Sequence, residues 1–113
     1  MDRTYTNPKG TETICVINGA GKAKPLRHEM EHSLLEMRAG NTGNSGHDLA
    51  ISILTEYFHT CEYMNPKDAR MYAGWLHHQF CFDFVAGWKP GWSITAAEIK
   101  RWVDTHPRTV ETT

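Results

Sequence analysis

Apolar and polar positions along this chain fall into recognisable periods. Leu49, Ala50, Ile53, Leu54, Tyr57, Phe58 and Cys61 keep the i, i+3, i+4, i+7 spacing of a helix with one buried stripe. The pattern predicts a helix over 46–62. Ser45 stands where a cap belongs, with Asp48 three residues on to reach back. Thr11-Glu-Thr-Ile-Cys-Val-Ile-Asn18 is a β-branched run of strand length, closed by the turn pair Asn18-Gly19. Leu26, Met30, Leu34 and Met37 share one helical face, which predicts a helix over 26–38 stopped by Gly40. Asn65-Pro66 restarts a helix over 66–76, with asparagine as cap and proline at the first position. Ala69, Tyr72, Ala73, Leu76 and Phe80 keep helical spacing, while Phe80, Phe82 and Phe84 alternate with period two; helix and strand stay open over 77–86, with a strand over 79–86 the favoured reading. The last helix, 95–104, opens on a capping box of Thr95 and Glu98, with Ile94 placed to staple against Ile99. Residues 1–10 and 107–113 are polar and read as loose tails.

The fold class that follows is α/β or α+β, a single domain over 1–113. A short mixed sheet carries 11–18 and 79–86 and is covered by about three helices. At 113 residues one core forms without obligatory metal or disulfides. There are no internal repeats and no linker.

Charge and composition narrow the function classes. A formal net charge of −1 excludes a generic nucleic-acid-coating protein, which needs a cationic surplus. No apolar run reaches spanning length, and the start lacks a signal-peptide core, so the expected location is cytoplasmic without membrane attachment. The three cysteines, Cys15, Cys61 and Cys81, sit in apolar contexts and read as reduced core thiols. Four Trp, four Tyr and four Phe predict an aromatic core or an aromatic binding face. Trp75 and Trp102 sit among helical apolar neighbours and read as core. Trp88 and Trp92 flank a Pro-Gly turn and are the candidate partner surface.

Three constellations carry candidate chemistry. The glycine-rich loop running into the 46–62 helix has the form of an anion site, with Gly43, Asn44, Ser45, Gly46 and His47 as its residues. A neutral His47 beside it would suit acid–base or nucleotide-contacting work. His28-Glu29-Met30-Glu31-His32 spells His-Glu-x-x-His, which on a helix sets two zinc ligands one turn apart with Glu29 as general base. No third ligand is evident, so the expectation is no metal there and no resident cofactor. His77 and His78, with His59 and Cys61, are a further candidate metal group. On a strand, adjacent histidines face opposite ways and only one could join.

Taken in order, these pieces resemble a small domain-of-unknown-function family of bacterial, plasmid and phage genomes. The residues that carry the likeness are Leu26, His32-Ser33, the Gly40–Gly46 loop, Leu49-Ala50, Ile53-Leu54, Phe80, and Trp92-Ser-Ile-Thr95 with Glu98-Ile99 and Trp102. His47 stands where the family carries proline. Gly46-His47 and the element order also resemble viral nucleases that cleave cyclic oligoadenylates. The family carries no agreed activity, so the resemblance implies fold and genomic context. With that context and no complete catalytic set in the sequence, the expected function is an accessory binding protein of phage or mobile-element type that modulates or counters a host system. It would hold a host protein or a small anionic, nucleotide-like ligand, and the sequence leaves a homodimer open. The alternatives are a metal-independent phosphodiesterase using His47 and a small zinc hydrolase using His28, Glu29 and His32.

Overall fold

In the computed structural model, residues 3–8, 13–29 and 37–105 are described. Four three-residue strands form an antiparallel sheet: β1 (Thr4–Thr6), β2 (Cys15–Ile17), β3 (Ala23–Pro25) and β4 (Ser93–Thr95), in the spatial order β3-β2-β1-β4. Three helices follow the pattern of the chain: α1 (Asn44–Cys61), α2 (Pro66–Asp83) and α3 (Ala96–Thr105). The class is α+β.

Tyr5 pairs with Val16 on one side and with Ile94 on the other. These three form a buried row across the sheet, facing the helices. Thr4–Thr6, in a segment read from sequence as a polar tail, is therefore an inner strand of the sheet. The expected 11–18 strand centres on Cys15–Ile17, and the Asn18 turn closes a hairpin through hydrogen bonds between Asn18 and Lys22. Its second arm is β3, followed by 26–29 without helical structure. The helix expected from Leu26 is thus absent over its first four residues, and residues 30–36 lie outside the described set. Leu26 is instead held by its amide on the Ile14 carbonyl at 2.8 Å, with both side chains buried.

α1 is the centre of the molecule. Every residue of the predicted stripe is buried, and so are Asp48, Ile51, Ser52 and Thr55, so the helix is enclosed on nearly all sides. β1 is fastened to it by a cluster around Glu56. Arg3 reaches that carboxylate with Nε and Nη2, at 3.0 Å from Nη2, and the Tyr5 hydroxyl donates to it as well.

α2 corrects the strand expected at 79–86. Ala69, Ala73, Leu76, His77, Phe80 and Cys81 form one continuous buried stripe, and the helix runs unbroken to Asp83. Phe80 and Phe84 are one turn apart, their rings 5.0 Å between centroids, whereas Phe82 points away and is 63% exposed. The alternation of phenylalanines is a coincidence of helical spacing. Trp75, read as core, is also exposed, while Trp102 is buried and donates its indole N–H to Asp83 at 2.7 Å.

The predicted helix starts of α2 and α3 are present as drawn from sequence. The Asp68 amide donates to Asn65 Oδ1 at 2.8 Å. Thr95 and Glu98 exchange the two bonds of a capping box, 2.9 Å from the Thr95 amide and 3.2 Å from the Glu98 amide. All three cysteines are free thiols, Cys61 and Cys81 buried.

Burial shapes the alkaline stability. It raises the Tyr5 phenol well above its ordinary value, and the neighbouring Glu56 charge adds to this. Tyr57 is raised by burial and by its bond to Glu62, and burial also raises Cys61 and Cys81. A raised folded value means the native state holds protons that the unfolded chain releases, so these contributions are intact below the unfolded values. They are lost as pH rises through roughly 9 for the thiols and 10 for the phenols. Each group can steepen the loss by at most about 1.4 kcal/mol per pH unit. Urea midpoints should fall between pH 8 and 11, and Tyr5→Phe should lessen the slope above pH 10. A flat midpoint over that range would contradict the burial of these groups.

Candidate functional site

The loop that feeds α1 is organised by Asn41. Its Oδ1 accepts from the Gly43 amide at 2.9 Å and from the Gly46 amide at 3.1 Å. Its backbone carbonyl accepts from the Cys81 thiol at 3.5 Å, which ties the loop to α2. Gly40, at φ +84°, turns the chain and donates to the Val85 carbonyl at 2.7 Å. Helix α1 begins at Asn44 with Gly43 as its cap, so Ser45 lies within the first turn and does not cap. Gly46 is the tight point: a Cβ there would lie 2.2 Å from the Asn41 carbonyl oxygen. Of the expected ligand residues, Gly43 and Asn44 are exposed, Ser45 and His47 half-buried, and Gly46 buried. The Asn41 amide group occupies, at Gly43 and Gly46, the position an incoming anion would take.

Asp48 does not reach back to Ser45. Its fully buried carboxylate meets His28 Nε2 at 2.8 Å. Glu29 continues the same brace: its amide donates to Ser52 Oγ at 2.8 Å, and its carboxylate stands 3.7 Å from Arg70 Nε. His28 and Glu29 therefore lash an extended segment across α1 and α2, where the zinc-hydrolase reading had them on a helix. His32 lies outside the described residues.

Trp88 and Trp92 stack at 4.2 Å between centroids with an 11° interplanar angle. Trp92 is buried and Trp88 half-buried, so Trp88 is the ring with surface to offer. Among the described residues they line, with Lys89, Pro25, Leu26 and His28, a cleft of about 570 Å³.

Two features were not foreseen from sequence. Met71, Trp75 and Phe82 are 44%, 51% and 63% exposed and lie on one face of α2. At about 100° per residue they fall, with His78 between them, inside an arc of about 60°. The second is a three-histidine group. His47, His77 and His78 each offer a ring nitrogen, and these atoms all lie within 4.8 Å of one another. His59, exposed and bonded to the Met64 carbonyl, and Cys61 are not in that group. Continuing the Ala69–Leu76 helical register through Cys81 was the signal that would have placed His77 and His78 beside the start of α1.

The structure defines a small α+β domain: a helical hairpin and a capped C-terminal helix on a four-stranded antiparallel sheet. Residues 5–105 match a family of unknown function (DUF6166), and the chain belongs to that family. No curated protein and no solved structure matches it. Among the described residues, no helix is long and apolar enough to cross a membrane.

Proposed function

We propose that this chain is a binding protein that captures a protein partner stoichiometrically through the exposed face of α2. The supporting observation is the Met71–Trp75–Phe82 stripe. Single exposed apolar residues are ordinary, but three large ones aligned on one helix face form a contiguous patch of the kind that marks partner surfaces. Tryptophan in particular concentrates binding energy at interfaces. Burying side chains of this size contributes about 1.5–3 kcal/mol each. With the resemblance noted above, the reading is of a cytoplasmic accessory protein of mobile-element type whose partner is a host protein.

A photo-crosslinking residue at position 75, compared with one at the exposed Lys100 position of α3, tests this in the host cell. A discrete adduct is expected from position 75 only, and Phe82→Glu should remove it while leaving the thermal midpoint unchanged. An adduct of twice the chain mass would identify the partner as a second copy. Equal adducts from both positions would overturn the docking face.

The cleft supports a second reading, capture of a small anionic ligand with a planar ring. The Trp88 ring offers stacking, and Lys89 beside it offers charge. Nucleotides that quench tryptophan fluorescence in the wild type, but not in Trp88→Ala, would favour it. Absence of quenching across mononucleotides and cyclic oligonucleotides would end it.

A further inference from the structure

We propose that His47, His77 and His78 form a binding site for one divalent transition-metal ion of the zinc class, set in the seam between α1 and α2. His47 is in the first turn of α1, and the histidine pair lies near the end of α2, so the antiparallel hairpin brings residues thirty positions apart together. The three rings touch pairwise, with centroids 5.2 Å apart for His47–His77, 4.8 Å for His47–His78 and 4.0 Å for His77–His78. Helical geometry makes this possible: consecutive side chains diverge by only about 100°, where a strand would separate them by about 180°.

The donor set consists of imidazoles alone. Such a set suits zinc, copper, nickel or cobalt rather than the oxygen-seeking magnesium or calcium. Ligation by His77 would use Nε2. Its Nδ1 lies 2.7 Å from the Gly74 carbonyl oxygen, which can only accept, so Nδ1 carries a proton and is engaged. A backbone carbonyl holding the distal ring nitrogen is the usual outer support of a metal-bound histidine. His77 is buried, His47 half-buried and His78 exposed, so the group runs from the seam to solvent and leaves a fourth position for water.

Nitrogen ligands on a tetrahedral zinc ion are about 3.3 Å apart, so the widest separation must contract by roughly 1.5 Å on binding. Rotation of the His47 and His78 side chains supplies that movement, with His77 as the fixed post. The site rests on the histidine geometry and not on the docking reading, but the two share His78, which lies on the same face of α2 as Trp75 and Phe82.

The test is titration of Zn²⁺ into the metal-free full chain, with Co²⁺ as a spectroscopic probe. One ion per chain is expected, with the intense visible absorption of tetrahedral Co²⁺. His78→Ala and His47→Ala should each weaken binding by about tenfold or more. Neither should shift the metal-free thermal midpoint enough to indicate unfolding; that control keeps buried His77 out of the decision. His59→Ala, at an exposed histidine outside the group, should bind as the wild type does. Absence of saturable binding, retention of full affinity in His78→Ala, or loss of the ion in His59→Ala would each overturn the site.

Discussion

Gly46→Val should leave little folded protein, and Gly46→Ala should already cost about 3–5 kcal/mol, the upper range for single substitutions. The cause is a close approach and not a backbone angle. An added Cβ at this position would lie 2.2 Å from the Asn41 carbonyl oxygen and 2.7 Å from Asn41 Oδ1. Neither atom can withdraw cheaply. The carbonyl belongs to the backbone and accepts from Cys81, while Oδ1 accepts from both Gly43 and Gly46. Asn41→Ala should be milder, about 1–2 kcal/mol, since it removes the acceptor for two amides without forcing atoms together. Urea denaturation of the three variants gives the ranking. A near-neutral Gly46→Ala would mean that the loop does not fold over α1 in this way.

Phe80→Ala should cost about 3–5 kcal/mol and Phe82→Ala less than about 1 kcal/mol, although the two residues are two apart in the chain. Phe80 is fully buried, its ring 5.0 Å from Phe84 and 5.2 Å from Trp102. Phe82 faces solvent. Its truncation removes little packed area and should even help solubility if its partner is absent. A strand at 79–86 would set Phe80 and Phe82 on one buried face, so both substitutions would be costly. The two denaturation midpoints therefore decide between helix and strand, and a large loss in Phe82→Ala would restore the strand.

What the candidate site owes to local sequence differs from one part to another. The tight entrance of α1 was visible as a glycine-rich stretch before an amphipathic run, and His47 stood out there. That Asn41, rather than Ser45 or an external anion, satisfies the Gly43 and Gly46 amides was not visible. Asparagine side chains reach backbone amides in many loop forms, and only the folded path selects one. His28 and Glu29 formed a recognisable motif on paper. Their buried partners, Asp48 and Ser52 on α1, come from about twenty residues away and turn the pair into a brace.

The sequence by itself determined a mixed helix-and-sheet class, the buried stripe of α1, and the capped starts of α2 and α3. Those features rest on contacts within four residues, so the spacing of side chains is enough to read them. The tertiary structure alone decided the strands β1, β3 and β4, the continuation of α2 through Asp83, and the meeting of His47 with His77 and His78. A three-residue strand is too short to carry a period, and it exists because a neighbour pairs with it: Tyr5 is a strand residue because Val16 and Ile94 flank it. The phenylalanines at 80, 82 and 84 satisfy a strand and a helix alike over so short a run. Packing of Phe80 and Cys81 in the same buried stripe as Ala73 and Leu76 settles the choice, and that same choice sets two histidines against a third.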